Sequence, residues 1–265
     1  MSRVGLSKRR ACTVMGISGS SLRYRRVPDK DASLRKRIRK LLRAGMGYRG
    51  AWADLRDRGI LVNVKRVHRV WKAMKLSMSP KARKRRTGTP MPDAPKAPGE
   101  VWGIDFVHER CLGGRRFRVL AVIDEFTREC LALEAKASFT AERVRDVLAT
   151  LVRERGAPKH LRSDNGPEFT TRTLTIWLGL QGTESRFIKP GSPWQNAKVE
   201  SFNGKLRAEC LDAEVFHNLA DAQLKLGIHR RFHNEKRPRS SLGYLTPSRY
   251  REIHEKTRKR EKLYS

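Results

Sequence analysis

The stretch VWGIDFVHERCLGGRRFRVLAVIDEFTRECLALEAK, Val101–Lys136, decides the fold class. Three runs, VWGIDFVHER, RRFRVLAVIDEF and ECLALEAK, are rich in Val, Ile, Leu and Phe and are broken by Gly113-Gly114 and by a short polar turn after Phe126. Runs of this composition with turn residues between them read as consecutive strands. Further along the chain, helical stretches at about 140–155, 168–180 and 196–211 are separated by short strands at HLRSD and ESRFI. Antiparallel strands followed by alternating helix and strand predict an α/β domain with a mixed five-stranded sheet and flanking helices.

The segment before these strands is of another kind. Residues 1–100 hold 28 basic and 6 acidic side chains, against 31 and 21 in residues 101–265, out of 59 Lys and Arg and 27 Asp and Glu in all. A formal net charge of +32 exceeds what solubility requires and calls for a polyanionic partner. Its hydrophobic pattern is helical. Leu6–Met15 reads as a helix that meets Gly16, and Ser18 is placed to cap a second helix through Arg25. A second helix-turn-helix outline follows: Leu34, Ile38, Leu41 and Leu42 form one apolar stripe, Trp52 and Leu55 lie on the next helix, and Gly59 ends it. Asn63 then caps Val64–Lys75, with Val67, Val70, Trp71 and Met74 facing a core and Lys65, Arg66, Arg69 and Lys72 on the opposite face, where they suit phosphates or groove edges.

Four divisions result: a helix-turn-helix DNA-binding region at 1–76, a basic Pro-rich linker at 77–99, an α/β core at 100–252 and a basic C-terminal tail at 253–265. Cys12, Cys111, Cys130 and Cys210 show neither paired spacing nor a nearby His pair, which points away from zinc and from a disulfide framework. No apolar run approaches the roughly 20 residues that cross a bilayer, and no secretory h-region follows the N-terminal charges, so a cytoplasmic, nucleoid-associated protein without a membrane partner is expected.

Among the acids, three stand where chemistry is plausible. Asp105 interrupts the first strand beside Trp102 and Phe106, Asp164 ends the strand HLRSD and precedes Asn165-Gly166, and Glu200 lies on the helix of SPWQNAKVESFNGKLRAECL. Ligands in open α/β sheets gather at strand ends, and carboxylates from separate elements suit a hard divalent cation such as Mg²⁺. Taken one at a time, an acid is more often a cap, a turn or a salt-bridge partner. That reading serves Asp124 and Glu125, assigned to a turn or to Arg128, and Glu168, assigned to a helix start. Trp102, Trp177 and Trp194 are assigned to packing, and His108 to a strand face.

The strings VWGIDF, IDEFTREC, LRSDNGPEF and KPGSPWQNAKVESFNGKLRAECL, with 35 residues between Asp164 and Glu200, resemble the retroviral-integrase core shared by bacterial insertion-sequence transposases, above all the second-reading-frame (OrfB) type. NEKRPRSSLGYLTPSRY resembles that family's closing segment and GYRGAWADLRDRGILVNVKRVHRVWKAMKL its helix-turn-helix region, so the likeness covers nearly the whole chain. The resemblance implies a ribonuclease H-like fold and Asp105, Asp164 and Glu200 as catalytic and metal-binding residues for two Mg²⁺ or Mn²⁺ ions. It implies hydrolysis at the ends of an insertion sequence, then attack of the freed 3′-hydroxyl on another phosphodiester. The partners would be double-stranded DNA, an upstream-frame product or fusion, and further copies in a multimer on DNA.

Arg207 matches a basic position that the family carries seven residues after its catalytic Glu. Seven residues is almost two turns, so Glu200, Asn203 and Arg207 share a helix face and Arg207 is placed to touch a DNA end. Lys198, Lys205, Gln195 and Asn196 are further candidates for the same groove. Two other functions are compatible with these features. One is a non-catalytic DNA-binding regulator derived from a transposase. The other is a ribonuclease H-type nuclease acting on hybrids, which would release ribonucleotides and transfer no strand.

Overall fold

A computed structural model describes residues 7–24, 29–42, 46–77, 94–189 and 193–261. The basic run Lys81–Arg86, most of the 77–99 segment, Arg25 and the last residues of the C-terminal tail lie outside the described residues, as does the side chain of Trp194. The chain divides into two compact units, Met1–Lys40 and Leu41–Ser265.

In the first unit, α1 (Lys8–Val14) ends at Gly16, whose φ of 61° is open to glycine at little cost. α2 (Gly19–Arg23) starts at Ser18, whose hydroxyl accepts from the Ser21 amide at 3.1 Å, as its position predicts. α3 (Ala32–Leu41) has Leu34 and Ile38 buried within this unit's span; Leu41, its last residue and already in the second unit, is buried too, while Leu42, expected on the same stripe, is 40% exposed.

The second unit opens with a helix pair. α4 (Tyr48–Asp57) is ended by Gly59 at φ 75°, and α5 (Val64–Ala73) is capped by Asn63, whose Oδ1 accepts from the Lys65 amide at 2.8 Å. Ala51, Ala53 and Leu55 of α4 and Val67, Val70 and Trp71 of α5 are buried. The Trp52 indole donates to the Val62 carbonyl at 2.9 Å and fastens the turn between the helices.

The sheet that follows has the order β3-β2-β1-β4-β5. β1 (Val101–Arg110), β2 (Arg116–Asp124) and β3 (Cys130–Lys136) form an antiparallel meander, with Trp102 opposite Asp124 and Arg110 opposite Arg116. Asp124 shapes the second turn by accepting from the amides of Phe126 and Thr127, each at 2.8 Å, and from Gly99 at 2.6 Å. α6 (Ala141–Arg155) returns the chain to β4 (His160–Ser163), parallel to β1, and α7 (Arg172–Leu180) leads to β5 (Glu184–Phe187), parallel to β4. A 3₁₀ turn (Pro193–Asn196) opens α8 (Ala197–Leu206), which runs into a π-helical turn (Arg207–Leu211). α9 (Leu219–Glu235), a 3₁₀ turn (Ser240–Leu242) and α10 (Pro247–Glu261) complete the chain.

Strand alternation sorts the core into two layers. Trp102, Ile104, Leu120 and Val122 face α6 and α7, where Val144, Leu148, Leu151, Leu174 and Leu178 close one layer. Val107, Val119, Ala121 and Ile123 face the other way, against Val199, Phe202 and Leu206 of α8 and Leu226 of α9. Asp105 stands between Gly103 and Val107, so alternation assigns it to the α8 side. The mixed five-stranded sheet is as the sequence predicts, but α9 and the helical character of α10 were not read there.

Candidate active site

The strand register builds the site. β4 runs parallel to β1 with Val101 opposite His160, Trp102 opposite Leu161 and Gly103 opposite Arg162. Two residues further along each chain, the same register sets Asp105 beside Asp164, which stands immediately after the end of β4. Adjacent strands lie roughly 4.8 Å apart, so the two carboxylates belong to one site. Asp164 is held in a turn by the Gly166 amide, which donates to Oδ1 at 3.0 Å. A Cβ on Gly166 would stand 3.0 Å from that same oxygen, which accounts for glycine there.

The third acid arrives on α8, and the sequence arranges for that helix to come close. A Cβ on Gly103 would collide with Cγ2 of Val199, which is fully buried, so the missing side chain lets α8 rest on β1. Glu125 strengthens the seating. Its carboxylate is fully buried and accepts from Nη1 of Arg162 on β4 at 2.8 and 2.9 Å and pairs with Nζ of Lys198 on α8 at 3.0 Å. One residue of the β2–β3 turn thus ties together a strand of the sheet and the start of the helix. Breaking such a buried group by removing one partner costs about 3–5 kcal/mol.

With α8 seated this way, Glu200 stands exposed at the rim, and Asn203 one turn later points at β1. Its Nδ2 donates to Asp105 Oδ2 at 2.8 Å, while the Phe106 amide donates to Oδ1 at 2.8 Å. Burial pushes the Asp105 carboxyl up to about 6; the negative charges of Asp164 and Glu200 push the same way, and the two hydrogen bonds oppose them. Asp164 and Glu200 thus both act electrostatically on Asp105. Among the described residues no group of three or more His, Cys, Asp or Glu is placed so as to hold a metal ion as it stands.

The remaining sequence candidates separate. Arg207 does lie on the face of Glu200 and Asn203. There it donates to the His108 carbonyl at 3.2 Å and to Glu109 Oε2 at 3.3 Å, with its side chain 46% exposed. Lys198 is engaged by Glu125 beneath the site, and burial lowers its pKa. Lys205 is half-buried on a different face, lining a cleft with Arg237 and Arg239. Gln195 accepts from the Lys189 amide at 2.8 Å, and Asn196 is buried with Oδ1 unpartnered. Lys65, Arg66, Arg69 and Lys72 are all on the exposed face of α5.

Two assignments of supporting acids need correcting. Glu125 lies in the turn, as read, but its ion-pair partners are Arg162 and Lys198 and not Arg128, because the turn directs it under Gly103 and not outward. Glu168 does not start a helix: α7 begins at Arg172, and Glu168 pairs with Arg118, whose guanidinium lies 3.9 Å from the Phe106 ring centre. Sequence reasoning missed Arg162 altogether. The available signal was a charged residue inside HLRSD, where a strand with neighbours on both sides should be apolar.

A mixed five-stranded sheet in this order with helices on both faces is the ribonuclease H-like fold. Residues 95–193 and 181–247 match two family models, both described as integrase core domain, and residues 28–86 match one described as an HTH-like domain. The chain is 38% identical over 262 residues to the insertion element IS407 uncharacterized 31.7 kDa protein of Burkholderia multivorans, covering 96% of this chain and 94% of that one. It is 27% identical over 221 residues to transposase InsD for insertion element IS2D of Escherichia coli, covering 77% and 72%. Among solved structures, a chain of the simian T-cell lymphotropic virus intasome in complex with PP2A regulatory subunit B56 gamma superposes with a TM-score of 0.51 at 16% identity, over 76% of this chain and 70% of that one. The chain belongs to the integrase-core family of insertion-element transposases.

Proposed function

We propose that the chain is a DNA transposase that hydrolyses the ends of an insertion sequence and joins them to target DNA by transesterification, with Asp105, Asp164 and Glu200 as its catalytic residues. The observation that carries this reading is the β1–β4 register, which aligns Asp105 with Asp164 on the side of the sheet where α8 brings Glu200. The residues fit Mg²⁺ or Mn²⁺: all three donors are carboxylates, Asp105 keeps lone pairs beyond the one hydrogen bond on each of its oxygens and Asp164 beyond its bond from Gly166, and a cation would offset the burial and then the repulsion from Asp164 and Glu200 that raise the Asp105 pKa. A pair of such ions, when bound, activates an attacking oxygen and stabilises a leaving one.

The chain's own residues do the rest. Asn203 and the Phe106 amide fix the orientation of Asp105, and the Glu125 cluster fixes the helix that bears Glu200. Arg207, at the end of the same face, is a DNA-end contact, with a weaker role for Gln195, while the buried Asn196 has no direct one. The exposed cations of α5, Lys65, Arg66, Arg69 and Lys72, bind double-stranded DNA at the element ends, working with an upstream-frame product and with further copies of the chain. Among the described residues no helix is long and apolar enough to cross a membrane.

The test is a strand-transfer assay on candidate end sequences with Mg²⁺, with and without the upstream product. Asp105→Asn, Asp164→Asn and Glu200→Gln each leave DNA affinity within about threefold and abolish joining, since only the metal-holding oxygens change. Full joining by any of the three ends the proposal.

A further inference from the structure

Beside the active-site stripe of α8 runs a second one. Ser201, Lys205 and Glu209 recur every fourth residue, rotated by about 100° from Glu200, and face a cleft of about 500 Å³. Its other walls are the start of α4, with Gly47, Arg49 and Gly50, and the segment Arg237–Ser241 within NEKRPRSSLGYLTP, a string whose resemblance to the family says nothing of its work.

The cleft has more positive charge than its own acid can balance. Arg49, Lys205, Arg237 and Arg239 line it, against Glu209 alone among the described lining residues. Glu209 is already taken, accepting from Arg237 Nε at 2.6 and 2.9 Å. Lys205 has no hydrogen bond or ion pair among the described residues; burial first, and then Arg237 and Arg239, lower its pKa. Arg239 is 8% exposed. Its Nη2 meets the ring of His233, which burial keeps neutral, and its Nε is buried with no partner. α4, ten residues long, points its N-terminus at the same space with Gly47 as cap, no side-chain cap and no acid in its first turn. Helix-start amides without a side-chain cap, a buried guanidinium donor without an acceptor and an ammonium without a partner among the described residues all call for an anion.

We propose that this cleft binds a backbone phosphate of DNA, received by Lys205, Arg239 and the α4 N-terminus, on the same strand whose reacting phosphodiester lies over Asp105, Asp164 and Glu200. The proposal rests on DNA being the substrate and adds a second, separate grip on it. Because Lys205 and Glu200 ride on one rigid helix, a strand held in the cleft is also set in register with the site. That gives the closing segment a function: its Arg239 backbone, bridged to Leu245, forms the far wall.

Two measurements without divalent cation test it on the full chain. Acetylation of Lys205, followed by mass spectrometry, is expected to slow about tenfold when a 30-base-pair duplex is added. The slope of log affinity against log salt on the same duplex is expected to fall by about one in Lys205→Gln and in Arg49→Gln, the second removing the exposed cation that lines the cleft beside the α4 N-terminus, as either loss releases the one phosphate held there. An unprotected Lys205, or unchanged slopes in both variants, overturns the proposal. So does protection by inorganic phosphate alone with none from the duplex, which would make the cleft a small-anion site. A chain that protects Lys205 yet joins no strands sinks the catalytic reading only; one that joins strands with Lys205 unprotected sinks this one only.

Discussion

Asn203 donates its side-chain amide to Asp105 across the junction of α8 and β1, at 2.8 Å. This single bond couples the helix carrying Glu200 to the strand carrying the central acid. It also favours the charged form of Asp105, against the burial that pushes that carboxyl up to about 6.

Asn203→Ala removes the donor, so Asp105 takes up a proton at higher pH. Divalent cations compete with that proton. In titrations with Mn²⁺ across pH 5–8, wild-type affinity should fall as pH drops through about 6, and the variant's should begin falling at higher pH. Strand joining near neutral pH should drop roughly tenfold to a hundredfold, as for loss of a group that orients a metal ligand, with DNA affinity unchanged. An unmoved pH dependence would show that Asn203 only packs.

Gly103 is the other determinant of where α8 sits, since any side chain there meets Val199. Gly103→Ala should lower stability by about 1–3 kcal/mol through overpacking and reduce joining further than the stability loss explains, because Glu200 moves with the helix. The double variant Gly103→Ala with Val199→Ala relieves the collision and should recover joining in part. Denaturant melts and joining rates on the three proteins decide it; absence of any recovery would place the cause elsewhere.

What the sequence reveals of this site differs by residue for physical reasons. The strands from Val101 to Lys136 are legible because a buried sheet leaves short, largely apolar runs between turn residues, and Asp105 is legible because it breaks one of them. α9 is hidden: its buried stripe is Ala222, Leu226, His229 and His233, and two of those four carry rings that periodicity counts as polar. His233 belongs inside because Phe202 packs against its ring and the Arg128 carbonyl bonds to it, and both partners are remote in sequence. Glu125 and Arg162 are hidden for the same reason. Each looks like a surface charge until the fold places one under Gly103 and the other on β4 beside it. The alignment of Asp105 with Asp164 follows from register, which a sequence with a four-residue β4 does not specify.

Arg207 offers the sharpest separation of structure from function. Its contacts to Glu109 and to the His108 carbonyl are long and its side chain is 46% exposed, so they contribute at most about 1 kcal/mol to stability. Arg207→Ala should therefore melt within a degree or two of wild type. If the guanidinium is the DNA-end contact proposed above, it exchanges Glu109 for a phosphate on binding, and the variant should lose joining of specific ends by at least about tenfold while affinity for random duplex changes little. Glu109→Gln tests the same exchange from the other side: with the competing carboxylate neutralised, Arg207 is released more readily and end binding should strengthen. Equal losses on specific and random DNA in Arg207→Ala, or no gain in Glu109→Gln, would reduce Arg207 to one cation among the many this chain carries.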